Sequence, residues 1–268
     1  VVSRSLRDTA FALDLAQGPE PGAAYWPPAP PGRYVDELAR EPGKLRIAVI
    51  TQAPTGAPVH QDNLDAITRA AALCSSLGHE VREAVLPEPF TKMMESFGVL
   101  GVVGVCAQIY ERARELGREP SPDDLEHVTI EMYRLGPSIS ALDYETARQA
   151  VQRLGFTMSA FMKDIDLLLM PIAPRAPWKA EDITLAMPLE EFYRKAVGYS
   201  DFTAICNVTG QPALTLPLYL NAAGIPVGTH FAARYGDETT LIRLAAQIER
   251  AAPWNKRVNP MLAEAMRA

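Results

Sequence analysis

Two kinds of hydrophobic pattern alternate along the chain. Short, mostly apolar runs at 45–50 and 166–170 predict buried strands, and residues 81–86 are predicted to form a further strand. Between the strands at 45–50 and 81–86, residues 60–77 carry Leu64, Ile67 and Ala71 at helical spacing, which predicts an amphipathic helix. This strand–helix–strand unit spans about forty residues, enough for a right-handed crossover between parallel strands.

The densest pattern lies near the C-terminus. A helix is predicted to end at 207–210, followed by a strand at 212–220, a turn, and a second strand at 228–235. A closing helix is predicted to begin after Gly236. Apolar residues crowd both strands, so both are expected to be buried.

Several further helices are predicted from their capping residues. Ser3 or Ser5 caps a first helix that runs to about residue 17, and Ser121 and Ser140 begin two others. A long helix is predicted over 88–117, with glycines at 98, 101 and 104. We expect a buried packing helix there, and the alternative is that the missing side chains leave room for a substrate.

Five strands separated mainly by helices predict the fold class. We expect an α/β protein with a mixed, mostly parallel central sheet flanked by helices. The chain has 268 residues, a length that permits one large domain or two small ones. Residues 18–43 are rich in proline and glycine and include AYWPPAPPG. We interpret this segment as a connector, with docking to a subunit or a proline-binding partner as the alternative.

Charge and composition narrow the functional classes. The net charge of −6, with no cluster of Lys and Arg, argues against a nucleic-acid partner. The longest apolar run, 97–109, is shorter than a membrane span needs, so we expect no membrane partner. The three cysteines form no CxxC pair, and this sparse count favours reduced thiols in the cytoplasm.

The four histidines indicate no metal site, because none belongs to an HExxH pattern or a close pair. His60 and His79 flank one helix and are expected at the surface, and a structural role is expected for His230 in the last strand. No GxGxxG motif follows the first strand, so a dinucleotide site is not supported. The sequence also lacks the GxSxG elbow of a Ser-His-Asp hydrolase.

Three stretches carry a resemblance to a known family. The order NxTGxPAxxxPL, GIPVG and GDExTLxRLAAQIE over 207–249 resembles the C-terminal end of the amidase signature family. VVSRSLRDTAFALD at 1–14 and DIDLLLMPIAPRAPW at 164–178 resemble two further stretches of the same family, in the family's order. The branch that it most resembles contains 6-aminohexanoate oligomer hydrolases.

The resemblance implies a serine amidohydrolase that cleaves carboxamides through an acyl-enzyme, without a metal or organic cofactor. The resemblance implies a catalytic Lys, a cis-peptide Ser and a nucleophilic Ser. The two serines belong to stretches such as GSSGGS and GGSIR, and neither stretch occurs in this sequence. We therefore expect residues 1–268 to be the C-terminal portion of a single amidase domain, with no catalytic residue of its own and inactive alone. The expected partners are a small-molecule amide, the missing N-terminal half and, as an open alternative, a second copy forming a homodimer.

Five residues are candidates for substrate binding. Ligands of such sheets bind beyond the carboxyl ends of parallel strands, which favours the loop at 171–178 with Ile172, Pro174 and Trp178. Asn207 could point its amide into the pocket or belong only to a helix end capped by Gly210. The resemblance implies that a cysteine of this half can face the substrate, and Cys106 is the candidate. A small buried residue is the alternative for Cys106.

Two other functional classes stay open. The chain could be a non-catalytic or inactive half that binds another subunit, or the subunit of an amidotransferase that uses ammonia. An encoded GSSGG…GGSIR segment just upstream of Val1 would favour the hydrolase, and a start codon at Val1 would favour the binding partner. An amidotransferase needs an ammonia-producing partner, which nothing in the sequence indicates.

Overall fold

The computed structural model describes residues 1–87, 90 and 93–254. Its α-helices are α1 (Leu6–Ala16), α2 (Tyr34–Glu37), α3 (Gln61–Ser76), α4 (Met93–Leu116), α5 (His127–Leu135), α6 (Ala141–Phe161), α7 (Leu189–Ser200), α8 (Thr203–Thr209) and α9 (Glu238–Ala251). Its strands are β1 (Arg46–Val49), β2 (Glu80–Glu83), β3 (Leu167–Pro171), β4 (Ala213–Leu220) and β5 (Pro226–Ala233).

The five strands form one mixed sheet in the order β2-β1-β3-β5-β4. β1 is parallel to β2 and to β3, whereas β5 is antiparallel to β3 and to β4. One face packs against α1, α2, α3 and α9, and the other against α4, α6 and α8. This arrangement confirms the predicted α/β class with a mixed central sheet between helices.

β3 shows how the apolar pattern produces two cores. Leu167 and Leu169 face the first helical layer, while Leu168 and Met170 face the second, since successive side chains of a strand alternate in direction. All four are fully buried. A central strand covered on both faces therefore needs a continuous apolar run, as its sequence has.

β4 lies at the edge of the sheet, and the expectation that both C-terminal strands are buried is wrong for it. Its residues Ala213 and Thr215 are exposed, whereas β5 is buried over most of its length. The apolar character of β4 did not distinguish an edge strand from a central one. Within the described part of the chain, no strand pairs with the outer side of β4.

The start of β4 has an unusual hydrogen-bond arrangement. Ala233 N–H donates to Pro212 O at 3.0 Å, but Pro212 has no N–H to return the bond. The side-chain Nε2 of Gln211 donates to Ala233 O instead, at 2.7 Å. Because hydrogen-bonded residues alternate along an antiparallel pair, the backbone groups of Ala213 and Thr215 point away from β5, toward the open edge.

α4 corrects the expectation of a buried packing helix. Met93 and Val102 are its buried residues, and no described atom lies within 4 Å of a Cβ built on Gly98, Gly101 or Gly104. The predicted start at residue 88 falls partly outside the described residues. By length and composition alone, α4 is also long and apolar enough to cross a membrane, contrary to the expectation from the shorter run at 97–109.

The helix expected to begin at Ser121 is absent, and residues 121–125 form turns before α5. Asp124 accepts hydrogen bonds from the N–H and Oγ of Ser121 and pairs with Arg118 at 2.7 Å. The Ser-x-x-Asp pattern thus closes a turn here. The same pattern at Ser140 forms a complete capping box with Asp143 and begins α6 as predicted.

His79 is buried, contrary to the expectation that it lies at the surface. Its Nδ1 accepts the N–H of Leu45 at 3.2 Å, and its Nε2 lies 2.8 Å from Gln247 Oε1. The imidazole therefore connects β1 to α9 just before β2 begins. His60 is exposed as expected and accepts the N–H of Asp62 as the N-cap of α3.

The proline-rich segment 18–43 is mostly without regular structure but contains α2. Tyr34 and Glu37 of this short helix are buried, and Arg243 of α9 donates to Glu37 at 2.6 Å. The N–H of Tyr34 donates to Asp14 at 2.6 Å, which fixes the segment to the end of α1. Its C-terminal part therefore packs on the first helical layer.

Candidate active-site wall

The carboxyl ends of β1 and β3 meet at one end of the sheet because the two strands are parallel. Two loops leave the sheet there, one over 50–60 after β1 and one over 172–178 after β3. Crevices outside the carboxyl ends of parallel strands are where ligands bind in open α/β sheets. This end of the sheet is therefore the candidate wall of a pocket.

Hydrogen bonds hold the second loop to the first. His60 N–H donates to Pro174 O at 2.6 Å, and Asn63 Nδ2 donates to Arg175 O at 2.9 Å. Asn63 is buried, so its amide needs this acceptor. The loop after β3 is thus fixed by the start of α3 on both sides of the peptide bond between Pro174 and Arg175.

Three predicted site residues lie in this fixed loop. Pro174 is buried, while Ile172 and Trp178 are partly exposed. Ile172 packs toward β5, where a Cβ added to Gly228 would lie 3.6 Å from its Cβ. The ring of Trp178 meets that of Tyr199, with centroids 5.3 Å apart and planes at 55°. The loop therefore presents an apolar, partly aromatic surface.

Asn207 lies on α8 with its side chain exposed. The helix ends as predicted, because Gly210 adopts φ +74° and its N–H donates to Cys206 O at 2.8 Å. The cap is provided by this backbone geometry. Asn207 is thus on the surface of a helix that packs against the second face of the sheet.

Cys106 lies apart from the loop after β3. It faces a second hollow of about 310 Å³, formed by residues of α4 and of 136–144. Its Sγ lies 3.7 Å from Tyr133 O, and a Cβ on Gly136 would lie only 2.4 Å from that sulfur. The thiol therefore packs closely against the segment between α5 and α6.

Asp201 was not found by the sequence analysis, and it is completely buried. Its Oδ2 accepts a short hydrogen bond from Thr55 Oγ1 in the loop after β1, while its buried Oδ1 has no hydrogen-bond partner. Burial raises the pKa of this carboxyl group, and the hydrogen bond from Thr55 partly offsets that effect. The pair joins the loop after β1 to the junction of α7 and α8.

Cys206 and His230 form a buried neutral pair. Cys206 Sγ lies 3.7 Å from His230 Nε2, and Thr215 Oγ1 lies 3.2 Å from His230 Nδ1. Burial raises the pKa of Cys206 to about 12 and lowers that of His230 to about 4. At neutral pH neither group is charged, so the arrangement is not an activated thiolate. The structural role expected for His230 agrees with these contacts.

A wide groove of about 1350 Å³ follows the open edge of β4. Residues from the N-terminus to α1, from both faces of β4 and from α9 line it, and most of them are apolar. Among the described residues there is no group of three or more His, Cys, Asp or Glu side chains that could hold a metal ion.

Most of the chain matches a known protein family. Residues 1–242 match the family model described as Amidase. The chain belongs to the amidase signature family. The resemblance seen in the three sequence stretches is thereby confirmed for this fold and family.

Among its relatives are two amidase-family proteins that align with nearly the whole chain. It is 29% identical over 262 residues to the 6-aminohexanoate-cyclic-dimer hydrolase of Paenarthrobacter ureafaciens, covering 94% of this chain and 53% of that protein. It is 30% identical over 259 residues to the putative amidase AmiB2 of Mycobacterium tuberculosis, covering 96% and 52%. The chain thus spans about half the length of these amidase relatives.

Solved amidase structures agree with the fold. A 6-aminohexanoate cyclic dimer hydrolase superposes with a TM-score of 0.89 at 28% identity, covering 97% of this chain and 56% of that one. A bacterial aryl acylamidase of the amidase signature family superposes with a TM-score of 0.77 at 20% identity, covering 95% and 53%. The second likeness supports the fold alone.

Proposed function

We propose that this chain is the C-terminal portion of a serine amidohydrolase that cleaves small aliphatic or oligomeric carboxamides. The observation that carries the proposal is the unequal coverage, in which nearly all of this chain matches about half of a 6-aminohexanoate-cyclic-dimer hydrolase. The Gly- and Ser-rich catalytic stretches of the family are not in the sequence. The Lys–cis-Ser–Ser triad would then be supplied by a complementary N-terminal half.

In this proposal the chemistry is acyl transfer. The nucleophilic Ser of the other half attacks the amide carbonyl, and backbone N–H groups of its Gly-rich loop stabilise the oxyanion. The C–N bond then breaks, the protonated amine or ammonia leaves, and water hydrolyses the acyl-enzyme to release the acid. The present chain contributes binding surface, with Ile172, Pro174 and Trp178 as an apolar wall. Cys106 and Asn207 remain candidates for substrate contact. Sparse, unpaired cysteines favour the cytoplasm as the place of action.

The edge of β4 is the surface that we assign to the complementary half. Ala213 and Thr215 offer outward backbone donors and acceptors, and the apolar groove runs along the same edge. An uncovered apolar edge strand is prone to pair with another strand. A segment of the size that the relatives have in addition would both cover this groove and extend the sheet.

The test is a reconstitution experiment. The chain is assayed alone and co-expressed with a segment that carries the GSSGG and GGSIR stretches, from the same gene if they precede Val1 there or otherwise from the cyclic-dimer hydrolase. Ammonia release from hexanamide and the appearance of a free amino group on ring opening of a cyclic amide are measured. We expect no turnover by the chain alone and turnover by the pair, which Ser→Ala at the nucleophile abolishes.

Two results would contradict the proposal. Hydrolysis by the chain alone would place the reactive group among the present residues. A stable pair without activity on any amide would favour the non-catalytic binding partner instead.

A further inference from the structure

The loop after β3 carries a positive charge that the proposed function does not use. Arg175 follows the buried Pro174 and is exposed. No ion pair or side-chain hydrogen bond is described for its guanidinium in the part of the chain that the structure covers. It lies at the end of the sheet where the candidate pocket wall is, beside the apolar residues of that wall.

Two hydrogen bonds from the start of α3 fix the backbone at Arg175. Its carbonyl oxygen accepts the amide of the buried Asn63 at 2.9 Å, and the preceding carbonyl accepts His60 N–H at 2.6 Å. The position of the Cα is therefore set by the start of α3. A long side chain on a fixed Cα loses less conformational freedom on binding a ligand than one on a mobile loop.

The guanidinium of Arg175 lies against α7 at Gly198, where there is no side chain in the way. A Cβ added to Gly198 would lie 3.4 Å from Nε, 3.6 Å from Nη2 and 3.8 Å from Cζ of Arg175. The planar group therefore rests on the helix at Gly198. Any residue with a longer side chain at this position would compete with the guanidinium for the same space.

The acidic residues near the start of α3 and of α7 are engaged elsewhere or distant, and the buried Asp201 at the end of α7 accepts a hydrogen bond from Thr55. On α3, Asp62 accepts from Asn221 at 2.8 Å and Asp65 from Gln61 at 2.7 Å. On α7, Glu191 pairs with Lys195 at 2.9 Å. Glu190 and Glu191 precede Gly198 by about two turns, which is roughly 10 Å or more along the helix axis. The guanidinium is left able to bind an external anion.

The same loop and the same helix also contribute a pair of aromatic rings. Tyr199 follows Gly198 directly, and its ring meets that of Trp178, which lies three residues after Arg175. A guanidinium offers parallel N–H donors that match a carboxylate, and neighbouring rings provide apolar contact for the methylene chain that carries it. This combination suits an aliphatic chain that ends in a carboxylate.

We propose that Arg175, resting on Gly198 beside the Trp178–Tyr199 ring pair, binds a terminal carboxylate of the amide substrate. That the ligand is a substrate rests on the proposed function, but the binding site lies wholly within the present chain. It refines the substrate class from any small aliphatic amide to an amide that bears an acid group at its other end.

The test measures binding without turnover, so it is independent of whether the chain hydrolyses anything. Adipamate and hexanamide have the same number of carbons and differ at one end, where the first carries a carboxylate. Isothermal titration of the chain should give about tenfold tighter binding of adipamate, the size of one good charge-assisted contact. Raising NaCl from about 20 mM to about 300 mM should reduce the difference because the site is exposed.

Matched variants locate the effect. Arg175→Gln should remove the preference and leave hexanamide binding unchanged, whereas Arg175→Lys should keep only part of it, since Lys lacks the planar fork. Gly198→Val keeps every charge but takes the space of the guanidinium, and it should also weaken adipamate binding. Arg153→Gln, on the exposed surface of α6, removes one positive charge elsewhere and should have no effect.

Equal affinities of the two ligands for the unmodified chain would overturn the proposal. A preference for adipamate that persists in Arg175→Gln would overturn it as well. Thermal unfolding of each variant shows whether it is folded, and the Arg175→Lys variant keeps the test valid if Arg175→Gln is not. Failure of the reconstitution assay would leave these binding results unaffected.

Discussion

Two carboxyl groups of this chain affect its stability in opposite directions because their surroundings differ. The carboxylate of Asp166 accepts hydrogen bonds from Arg46 Nε at 3.1 Å, Arg46 Nη2 at 2.9 Å and Arg234 Nη2 at 2.7 Å. Two guanidinium groups therefore share it. These bonds join β1, the start of β3 and the end of β5. Asp201, by contrast, is buried with one oxygen unpaired.

Asp166→Asn should lower the free energy of unfolding by about 1–3 kcal/mol at pH 7, because it removes a charged acceptor from two arginines. The side chain of Arg46 is the largest cause that holds the pKa of Asp166 at about 2. A carboxyl with a lowered folded pKa stabilises above its unfolded value near 4 and loses this contribution as the pH falls toward 2. Urea unfolding should therefore show the two proteins converging below about pH 4, and a constant difference would contradict this origin.

Asp201→Asn should show the opposite pH dependence. Burial raises the folded pKa of Asp201, so the wild-type chain is most stable, relative to the Asn variant, when the carboxyl is protonated in both states. As the pH rises above about 4 the unfolded state ionises first, and the wild-type chain loses stability relative to the variant. Unfolding free energies at pH 4 and pH 7 test this. A difference that grows in favour of the wild type would contradict it.

At the scale of helices, α4 differs from its neighbours. It is the longest helix among the described residues, yet only Met93 and Val102 are buried, and its three glycines face no described atom. A glycine in an exposed helix costs stability relative to alanine without providing a contact. A methyl group can therefore be added at the glycines of α4, whereas at Gly136, which packs against Cys106 of α4, there is no space for one.

Gly101→Ala should stabilise the chain by about 0.5–1 kcal/mol, since no described atom outside the helix's own backbone lies within 4 Å of the new methyl group. Gly136→Ala is the matched control, because its Cβ would lie 2.4 Å from Cys106 Sγ and 2.6 Å from Cys106 Cβ. That variant should lose about 1–3 kcal/mol through overpacking. Differential scanning calorimetry of both variants checks the pair, and stabilisation by Gly136→Ala would be inconsistent with the packing of Cys106.

Periodicity predicted elements well and their surroundings poorly. The apolar run of β3 and the helix start at Ser140 were both predicted correctly. The apolar residues of β4 and α4 describe what a segment can bury, but whether anything covers it depends on the rest of the molecule. At Ser121 the same Ser-x-x-Asp chemistry fits a turn as well as a helix start, and Arg118 favours the turn through its pair with Asp124.

The candidate site was predictable only where it is local. The carboxyl-end rule placed Ile172, Pro174 and Trp178 in one loop, because the strand that precedes them was recognised from its sequence. Thr55 and Asp201 are 146 residues apart, and neither has a sequence signal that points to the other. Contacts of this kind arise from tertiary packing, which a single sequence does not specify.

At the scale of the whole molecule, the edge of β4 is a strand edge that no strand of the described residues covers. The outward groups of Ala213 and Thr215 and the groove of about 1350 Å³ lie along it. We expect the chain alone to bind the dye ANS there and to associate at high concentration, as uncovered edges do. Covering by the complementary half should suppress both.

Ala213→Pro tests whether that half pairs with β4. The N–H of Ala213 points outward, so its removal should change the unfolding free energy of the chain by less than about 1 kcal/mol while abolishing association with the complementary half. Leu214→Pro is the control, because it removes an N–H directed toward β5 and should destabilise the chain itself. Analytical ultracentrifugation of the co-expressed pair gives the result. Undiminished association of the Ala213→Pro chain would exclude backbone pairing at this position.

Because Gln211 donates the hydrogen bond to Ala233 that Pro212 cannot, substitutions at these two adjacent positions should have non-additive effects on stability. Gln211→Leu should cost about 1–3 kcal/mol while Pro212 is present, because the buried carbonyl of Ala233 then has no donor. In a Pro212→Ala background the restored backbone N–H can replace the amide, so the same substitution should cost much less, and a double-mutant cycle would measure the coupling. Across related sequences, we expect glutamine to be retained at the first position where proline occupies the second, and to vary where it does not.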